Sequence, residues 1–116
     1  MALILDRAVE ADEIVAALRG YGLTQADIAG AIGVSDRSVR NWAHDAPLRR
    51  RHEERLQALR AIVLELDDSL TPRGVGQWLR AHNRALGGSR ALDVLAEGDV
   101  DAVRRAARAF ADGAYL

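Results

Sequence analysis

Apolar residues recur along most of the chain at spacings of three and four, which is the pattern of helices that bury one face. The longest series predicts one amphipathic helix from Leu48 to Leu66. Earlier series predict helices over residues 7 to 19 and 25 to 32, and a third helix that begins after Ser35. We assign the buried faces of these four helices to Ile14, Val15, Leu18, Ile28, Val39, Trp42, Leu56, Leu59, Ile62, Val63 and Leu66.

Residues that favour helix ends stand at the predicted boundaries. Thr24 and Asp27 have the spacing of a capping box, in which each side chain accepts a hydrogen bond from a free backbone N–H. Gly33 suits the end of the second helix, and Ser35 suits the start of the third. Thr71 before Pro72 predicts another helix start.

The second half of the chain predicts three further helices. One runs over residues 72 to 83, a short one is capped by Ser89 and ends at Glu97, and the last ends at Gly113. Their buried positions are predicted to be Val75, Trp78, Leu79, Leu92, Val94, Leu95, Val100, Val103, Ala107 and Phe110. With no strand pattern evident, the sequence predicts an all-α fold of seven helices in two parts.

Composition limits the classes of protein to consider. Hydrophobic residues make up 49% and charged residues 28% of the chain, which is typical of a folded domain. The absence of cysteine excludes disulfides, thiolate metal sites and cysteine nucleophiles, and it suits a reducing cytoplasm. Apolar runs are too short for a membrane span or a secretion signal.

Positive charge is concentrated in one stretch. The whole chain has a net charge of −1, but the stretch from Ser35 to Arg60 carries seven arginines against four acidic residues. A local excess of this kind suits salt-sensitive binding of nucleic acid at one face. The alternative is an ordinary solvated helix face.

An enzyme is not indicated. The three histidines, His44, His52 and His82, match no metal-ligand spacing, and no glycine-rich loop follows a strand. We therefore predict no catalytic residue, no metal site and no cofactor.

The segment from Gly22 to Trp42 has the features of a helix-turn-helix. Two helices that cross steeply need a small residue in the first helix, here Ala29, and a residue that tolerates positive φ in the turn, here Gly33. Apolar residues must also hold the two helices from beneath, and we assign this role to Ile28, Val34, Val39 and Trp42.

With these features the segment resembles the Xre/Cro-type repressor motif. The resemblance implies that Ser35, Asp36, Arg37 and Asn41 face base edges in the major groove, and Arg37 is the best candidate for reading guanine. It implies that Ser38, Arg40 and Gln25 hold phosphates. The alternative is a helical element that does not contact DNA.

The C-terminal part, from Trp78 to Gly98 and on to Val103, resembles the toxin-binding domain of Xre/MbcA/ParS antitoxins. The shared pattern is a Trp helix, an Asn before Leu-Gly-Gly, a Leu-rich short helix that ends in Gly, and a final helix. Ala81-His82-Asn83 lacks the Pro often found before that Asn, and Ala91 replaces a common Pro.

The resemblance implies a cognate RES-domain toxin, an enzyme that consumes NAD, whose active-site entrance is covered by the C-terminal region of the antitoxin. The candidate toxin-binding residues are Trp78, Asn83, Leu86, Phe110, Gly113, Ala114, Tyr115 and Leu116. For Trp78 the alternative is plain core packing. The tail from Ala114 to Leu116 either folds back on its own core or inserts into the toxin.

Together these observations predict three regions: a helix-turn-helix region over residues 1–46, a linker helix over 47–68 and a toxin-binding domain over 69–116. The predicted function is an antitoxin that represses its own operon, with operator DNA and the toxin as partners and no membrane. A homodimer or a larger hetero-oligomer with toxin is expected. One alternative is a plain Xre-family repressor whose C-terminal half serves dimerisation or ligand sensing, and another is an adaptor without DNA binding.

Overall fold

The computed structural model describes residues 2–42 and 48–113, and within these ranges the protein has eight α-helices, one short 3-10 helix and no strand. The predicted all-α fold is confirmed. The helices are α1 (Ala2–Arg7), α2 (Ala11–Arg19), α3 (Gln25–Ile32), α4 (Asp36–Trp42), α5 (Arg50–Asp67), α6 (Pro72–Arg80), the 3-10 helix (Arg84–Leu86), α7 (Ala91–Ala96) and α8 (Val100–Ala111).

Most of the predicted helix ends form as the local sequence indicates. Asp27 N–H donates to Thr24 Oγ1 at 3.0 Å, and Thr24 N–H donates to Asp27 Oδ2 at 2.9 Å, which completes the capping box of α3. Gly33 ends α3 in the left-handed conformation, with φ of 86°. The hydroxyl of Ser35 accepts the Ser38 N–H at 3.1 Å. Thr71 accepts the N–H of the third residue of α6 in the same way, at 3.1 Å.

The first helix was predicted wrongly as one element over residues 7 to 19. Two helices are present instead, because α1 ends at Arg7 and α2 begins at Ala11. The backbone N–H of Glu10 donates to Glu13 Oε1 at 3.0 Å, so the start of α2 has its own cap. A Glu pair is a weaker helix-start signal than Thr or Ser with Glu, which is why the pattern of apolar residues alone missed it.

The loop after α6 also differs from the prediction. α6 ends at Arg80 rather than at residue 83, because Ala81 is extended with ψ of 149°. His82 and Arg90 then form an isolated antiparallel bridge. The backbone of Ser89 accepts the Asn83 N–H at 3.0 Å in this bridge, and Arg90, not Ser89, takes the N-cap position of α7.

One hydrophobic core runs through both halves of the described chain. The predicted apolar stripe of α5 is at most 1% exposed, and α5 packs against α1, α2, α3, α6 and α8. α7 from the second half packs closely against α3 from the first, so α3 and α4 have no separate core of their own. In the described part of the chain, no helix combines the length and apolar character that crossing a membrane requires.

α6 approaches the loop between α2 and α3 so closely that only glycine fits at one position. A Cβ atom added at Gly76, which is buried, would collide with the backbone carbonyl oxygen of Tyr21. Tyr21 is itself fully buried, and burial followed by the nearby Asp67 raises the pKa of its phenol. Gly76 therefore sets the distance between the two halves at this contact.

Gly76→Ala should lower the free energy of unfolding by about 1–3 kcal/mol, because the new methyl group has to displace backbone rather than a flexible side chain. Gly30→Ala is the matched control, since a Cβ there meets nothing within 4 Å. Because Gly30 lies inside α3, that change should stabilise the protein by about 0.4–1 kcal/mol. Urea unfolding of both variants measures the difference, and a Gly76→Ala variant as stable as wild type would disprove the close approach.

Candidate functional site

The fourth helix presents a continuous polar face to solvent. Val39 and Trp42 bury the inner side of α4, at 2% and 6% exposure. The predicted base-reading and phosphate-holding residues on the outer side are all exposed: Asp36, Arg37, Arg40 and Asn41. Asp36 and Arg40 are about one turn apart, as are Arg37 and Asn41, so the four side chains share one face of the helix.

The remaining residues predicted to contact DNA have structural contacts as well. The hydroxyls of Ser35 and Ser38 lie 3.0 Å apart, and Ser35 also caps the helix. Gln25 is the first residue of α3 and is half-buried. Ser38 and Gln25 are half-buried, whereas Ser35 is exposed, as Arg37 and Arg40 are.

An arginine from the second half holds the N-terminus of α3. The Arg80 guanidinium donates to the carbonyl oxygen of Gly22 and to Asp27 Oδ2, the latter at 2.6 Å. Burial by itself would raise the pKa of Asp27, but the hydrogen bond from the Thr24 backbone and the interaction with Arg80 outweigh it. The pKa of Asp27 therefore lies below its ordinary value.

A second arginine lies between the turn of the helix-turn-helix and the turn before α8. Arg55 Nη1 donates to the carbonyl oxygen of Ile32 at 3.0 Å, at the C-terminal end of α3. A Cβ added at Gly33 or at Gly98 would come within 2.9 or 2.8 Å of the guanidinium of Arg55. The guanidinium of Arg55 thus fills the space between the two glycine turns.

A third arginine supports the first helix. Arg60 donates to the carbonyl oxygens of Leu5 at 3.1 Å and Asp6 at 2.7 Å, where α1 ends. Both Arg55 and Arg60 belong to the positive stretch that suits nucleic acid. The structure instead directs these two side chains to helix ends, a role that no local sequence signal identifies.

The candidate toxin-binding residues that the structure describes cluster where α6, the 3-10 helix and α8 meet. The rings of Trp78 and Phe110 lie 6.2 Å apart between centroids and are tilted by 58°. The 3-10 helix that contains Leu86 packs against α8. Trp78 and Phe110 were predicted to be buried, but both are half-buried, as is Leu86, so part of this apolar cluster faces solvent.

Asn83 organises the loop beside this cluster. Its side-chain oxygen accepts the Ala85 N–H at 2.9 Å, and its backbone oxygen accepts the Gly88 N–H at 2.9 Å. Gly87 and Gly88 both have positive φ, of 66° and 88°, as the predicted chain reversal requires. His82 Nδ1 lies 2.9 Å from the Gly88 oxygen and closes the same loop.

The final helix ends just before the predicted tail. Gly113 has φ of 74° and its N–H donates to the Phe110 oxygen at 3.1 Å, so the chain turns after α8. The candidate toxin-binding residues Ala114, Tyr115 and Leu116 lie outside the described residues.

Comparison with known proteins gives concordant results for sequence and fold. The family model described as the antitoxin Xre/MbcA/ParS C-terminal toxin-binding domain matches residues 55–113. Over 116 residues, which is all of both proteins, the chain is 56% identical to the probable mycobacterial cidal antitoxin Rv3188 of Mycobacterium tuberculosis (strain ATCC 25618 / H37Rv). Its fold matches a chain in the crystal structure of the M. tuberculosis MbcT–MbcA toxin–antitoxin complex, with TM-score 0.76 and 24% identity over 91% of this chain and 96% of that one.

Asp27→Asn should lower the free energy of unfolding at pH 7 by about 1–2 kcal/mol, because it removes a charge-assisted hydrogen bond to Arg80. The lowered pKa means that this contribution is present above the unfolded-state pKa of about 3.9 and is lost as the pH falls through the folded-state pKa. The difference between wild type and variant should therefore shrink as the pH falls below about 4.

Urea unfolding of both proteins between pH 3 and pH 7 measures this difference. Glu54→Gln is the control, because the ion pair of Glu54 with Arg50 is fully on the surface and contributes less than about 0.5 kcal/mol. A difference between wild type and Asp27→Asn that stays constant across the pH range would contradict the assignment.

Proposed function

The chain belongs to the family of Xre/MbcA/ParS antitoxins, and from this premise we propose that it neutralises a cognate RES-domain toxin that consumes NAD and represses its own operon. The observation that carries the proposal is the match of residues 55–113 to the toxin-binding domain of the family. The 56% sequence identity to a probable antitoxin over the full length supports it. The protein acts as a binding partner and not as an enzyme. We place it in the cytoplasm, which suits a chain without cysteine.

DNA reading is assigned to the exposed face of α4. Arg37 reads a base edge, since a guanidinium can bond guanine O6 and N7 together, and Asp36, Asn41 and Ser35 border that contact. Arg40, Ser38 and Gln25 hold phosphates on either side. The support for this assignment is that Val39 and Trp42 hold the opposite face of α4 in the core, so the polar face is fixed in orientation.

Toxin binding is assigned to the half-buried aromatic cluster and the tail that follows it. Trp78, Leu86 and Phe110 offer apolar surface beside a loop that Asn83 keeps rigid. Tyr115 and Leu116 enter or cap the NAD cleft, because an aromatic ring and an apolar side chain suit the ring subsites of a dinucleotide. Gly113 and Ala114 connect the tail to α8.

The regions 1–46, 47–68 and 69–116 then carry DNA reading, connection and toxin binding in turn.

We also propose self-association, as a homodimer or within a larger assembly with toxin. Three large apolar residues near the start of the chain are exposed. Leu3 and Ile4 in α1 and Val9, just after α1, have 61%, 64% and 71% of their surface accessible to solvent. Apolar exposure of this extent in so small a segment is typical of surfaces that pair.

Arg37→Ala should weaken binding to a selected operator duplex by about 1–3 kcal/mol and relax the choice of base at one position, while binding to random DNA changes little. Arg40→Ala is the comparison variant and should weaken both duplexes alike. Fluorescence anisotropy titrations with the two duplexes measure this. Equal losses on both duplexes for Arg37→Ala would remove Arg37 from base reading.

Deleting Tyr115 and Leu116 should leave the toxin complex largely intact but restore NAD consumption, because the contacts of the helical module remain while the cleft is uncovered. Trp78→Ala is the contrasting variant and should weaken the complex itself, since a large aromatic contact is lost. The two readouts are the Kd of the antitoxin for purified toxin and the rate of NAD consumption at saturating antitoxin.

Full inhibition by the shortened protein would show that the tail does not cover the active site. Absence of any complex between the wild-type protein and a RES-domain toxin encoded beside it would favour a plain repressor instead.

A further inference from the structure

A small cationic cavity lies beside the turn of the helix-turn-helix. Its volume is about 190 Å³, and it is lined by Ile32 and Gly33 from the end of α3 and by Arg51, His52 and Arg55 from the first turns of α5. Among the lining residues that the structure describes, Arg51, His52 and Arg55 carry or can carry positive charge and none is acidic. The cavity therefore offers a local positive field within a chain whose net charge is −1.

The three basic side chains have different internal contacts. Arg55 is held by the carbonyl oxygen of Ile32 at 3.0 Å, which uses one of its five N–H donors. Arg51 is exposed, and within the described part of the chain its side chain makes no hydrogen bond or ion pair. Partial burial, and after it the charges of Arg51, Arg49 and Arg55, lower the pKa of His52, so these three cations lie near its imidazole. An anion would relieve this repulsion.

The position of the cavity brings it close to the proposed DNA contact. Gly33, which lines the cavity, is only two residues before Ser35. This places it within about 7 Å, measured along the chain, of the start of α4. The major groove is about 12 Å wide, and a helix that lies in it has the phosphates of both strands at its borders. A long basic side chain that lines the cavity is therefore a candidate ligand for a bordering phosphate.

We propose that the cavity between the end of α3 and the start of α5 binds one phosphate of the DNA backbone, with Arg51 as its principal ligand. Arg55 acts as a positioning residue, since its contact with Ile32 fixes the distance between α5 and the turn. His52 supplies a further N–H. This inference rests on the proposed DNA binding and adds a phosphate contact from the linker helix to those of the helix-turn-helix.

The test compares two neighbouring arginines in the full-length protein. Arg51→Gln removes the proposed phosphate ligand. Arg50→Gln removes the same charge one residue earlier, from a side chain that is 93% exposed and paired with Glu54 at 3.3 Å, outside the cavity. Binding is measured by fluorescence anisotropy from 50 to 300 mM salt, with a duplex that the wild-type protein selects from a random library and with a random-sequence duplex of equal length.

Arg51→Gln should lower the slope of log K against log salt by about 0.9, which corresponds to about eightfold weaker binding at 0.1 M salt, equally on both duplexes. Arg51→Lys should retain most of the slope, because lysine also binds phosphate as a point charge. Arg50→Gln should keep the wild-type slope. Matching unfolding curves of all three variants confirm that each is folded.

Three outcomes would overturn the inference while leaving the proposed function intact. They are a wild-type slope for Arg51→Gln, the same loss of slope for Arg50→Gln, and a loss confined to the selected duplex, which would make Arg51 a base-reading residue. A wild-type protein that binds neither duplex at 50 mM salt would refute DNA binding and this contact together.

Discussion

The arrangement of the described helices depends on three arginines, Arg55, Arg60 and Arg80, that hold the ends of helices which precede them in the chain. A helix leaves carbonyl groups unpaired at its C-terminus, and burying them without a partner is costly. Arg60 satisfies the end of α1 and Arg55 the end of α3, whereas Arg80 neutralises the Asp27 carboxylate at the start of α3. Because one guanidinium has several donors in a fixed plane, a single side chain can cap a helix and still contact a neighbouring turn.

These contacts give the toxin-binding domain of the family a second task. The domain match begins at residue 55, so Arg55, Arg60 and Arg80 all belong to it, yet each acts on the helices that precede it. α7 and α3 also pack directly on each other. The position of α3, and of α4 that packs on it, therefore depends on residues of the region that matches the toxin-binding domain. The two parts are therefore joined by a shared core.

Local signals in the sequence predict much of this structure, whereas contacts between distant residues are not predicted. Three features depend only on residues that are near one another in the sequence, and the sequence predicts them correctly. They are the capping box of Thr24 and Asp27, the turn at Gly33 and the apolar stripe of α5. The role of Arg55 depends on a residue 23 positions away, and charge counting assigned it to nucleic acid instead. Ser89 is a good N-cap residue by type, but the bridge between His82 and Arg90 moves the cap to Arg90.

The part of the chain that matches the toxin-binding domain also supports α3 and α4 structurally. Native-state hydrogen exchange of the full chain in increasing urea tests it most directly. If the claim is right, the most protected amides of α3 and α7 exchange with the same free energy and the same denaturant dependence, because both open only when the whole core unfolds. Exchange of α3 through a separate, lower-energy opening, with α7 and α8 still protected, would show that the helix-turn-helix is an independent unit and would contradict the account.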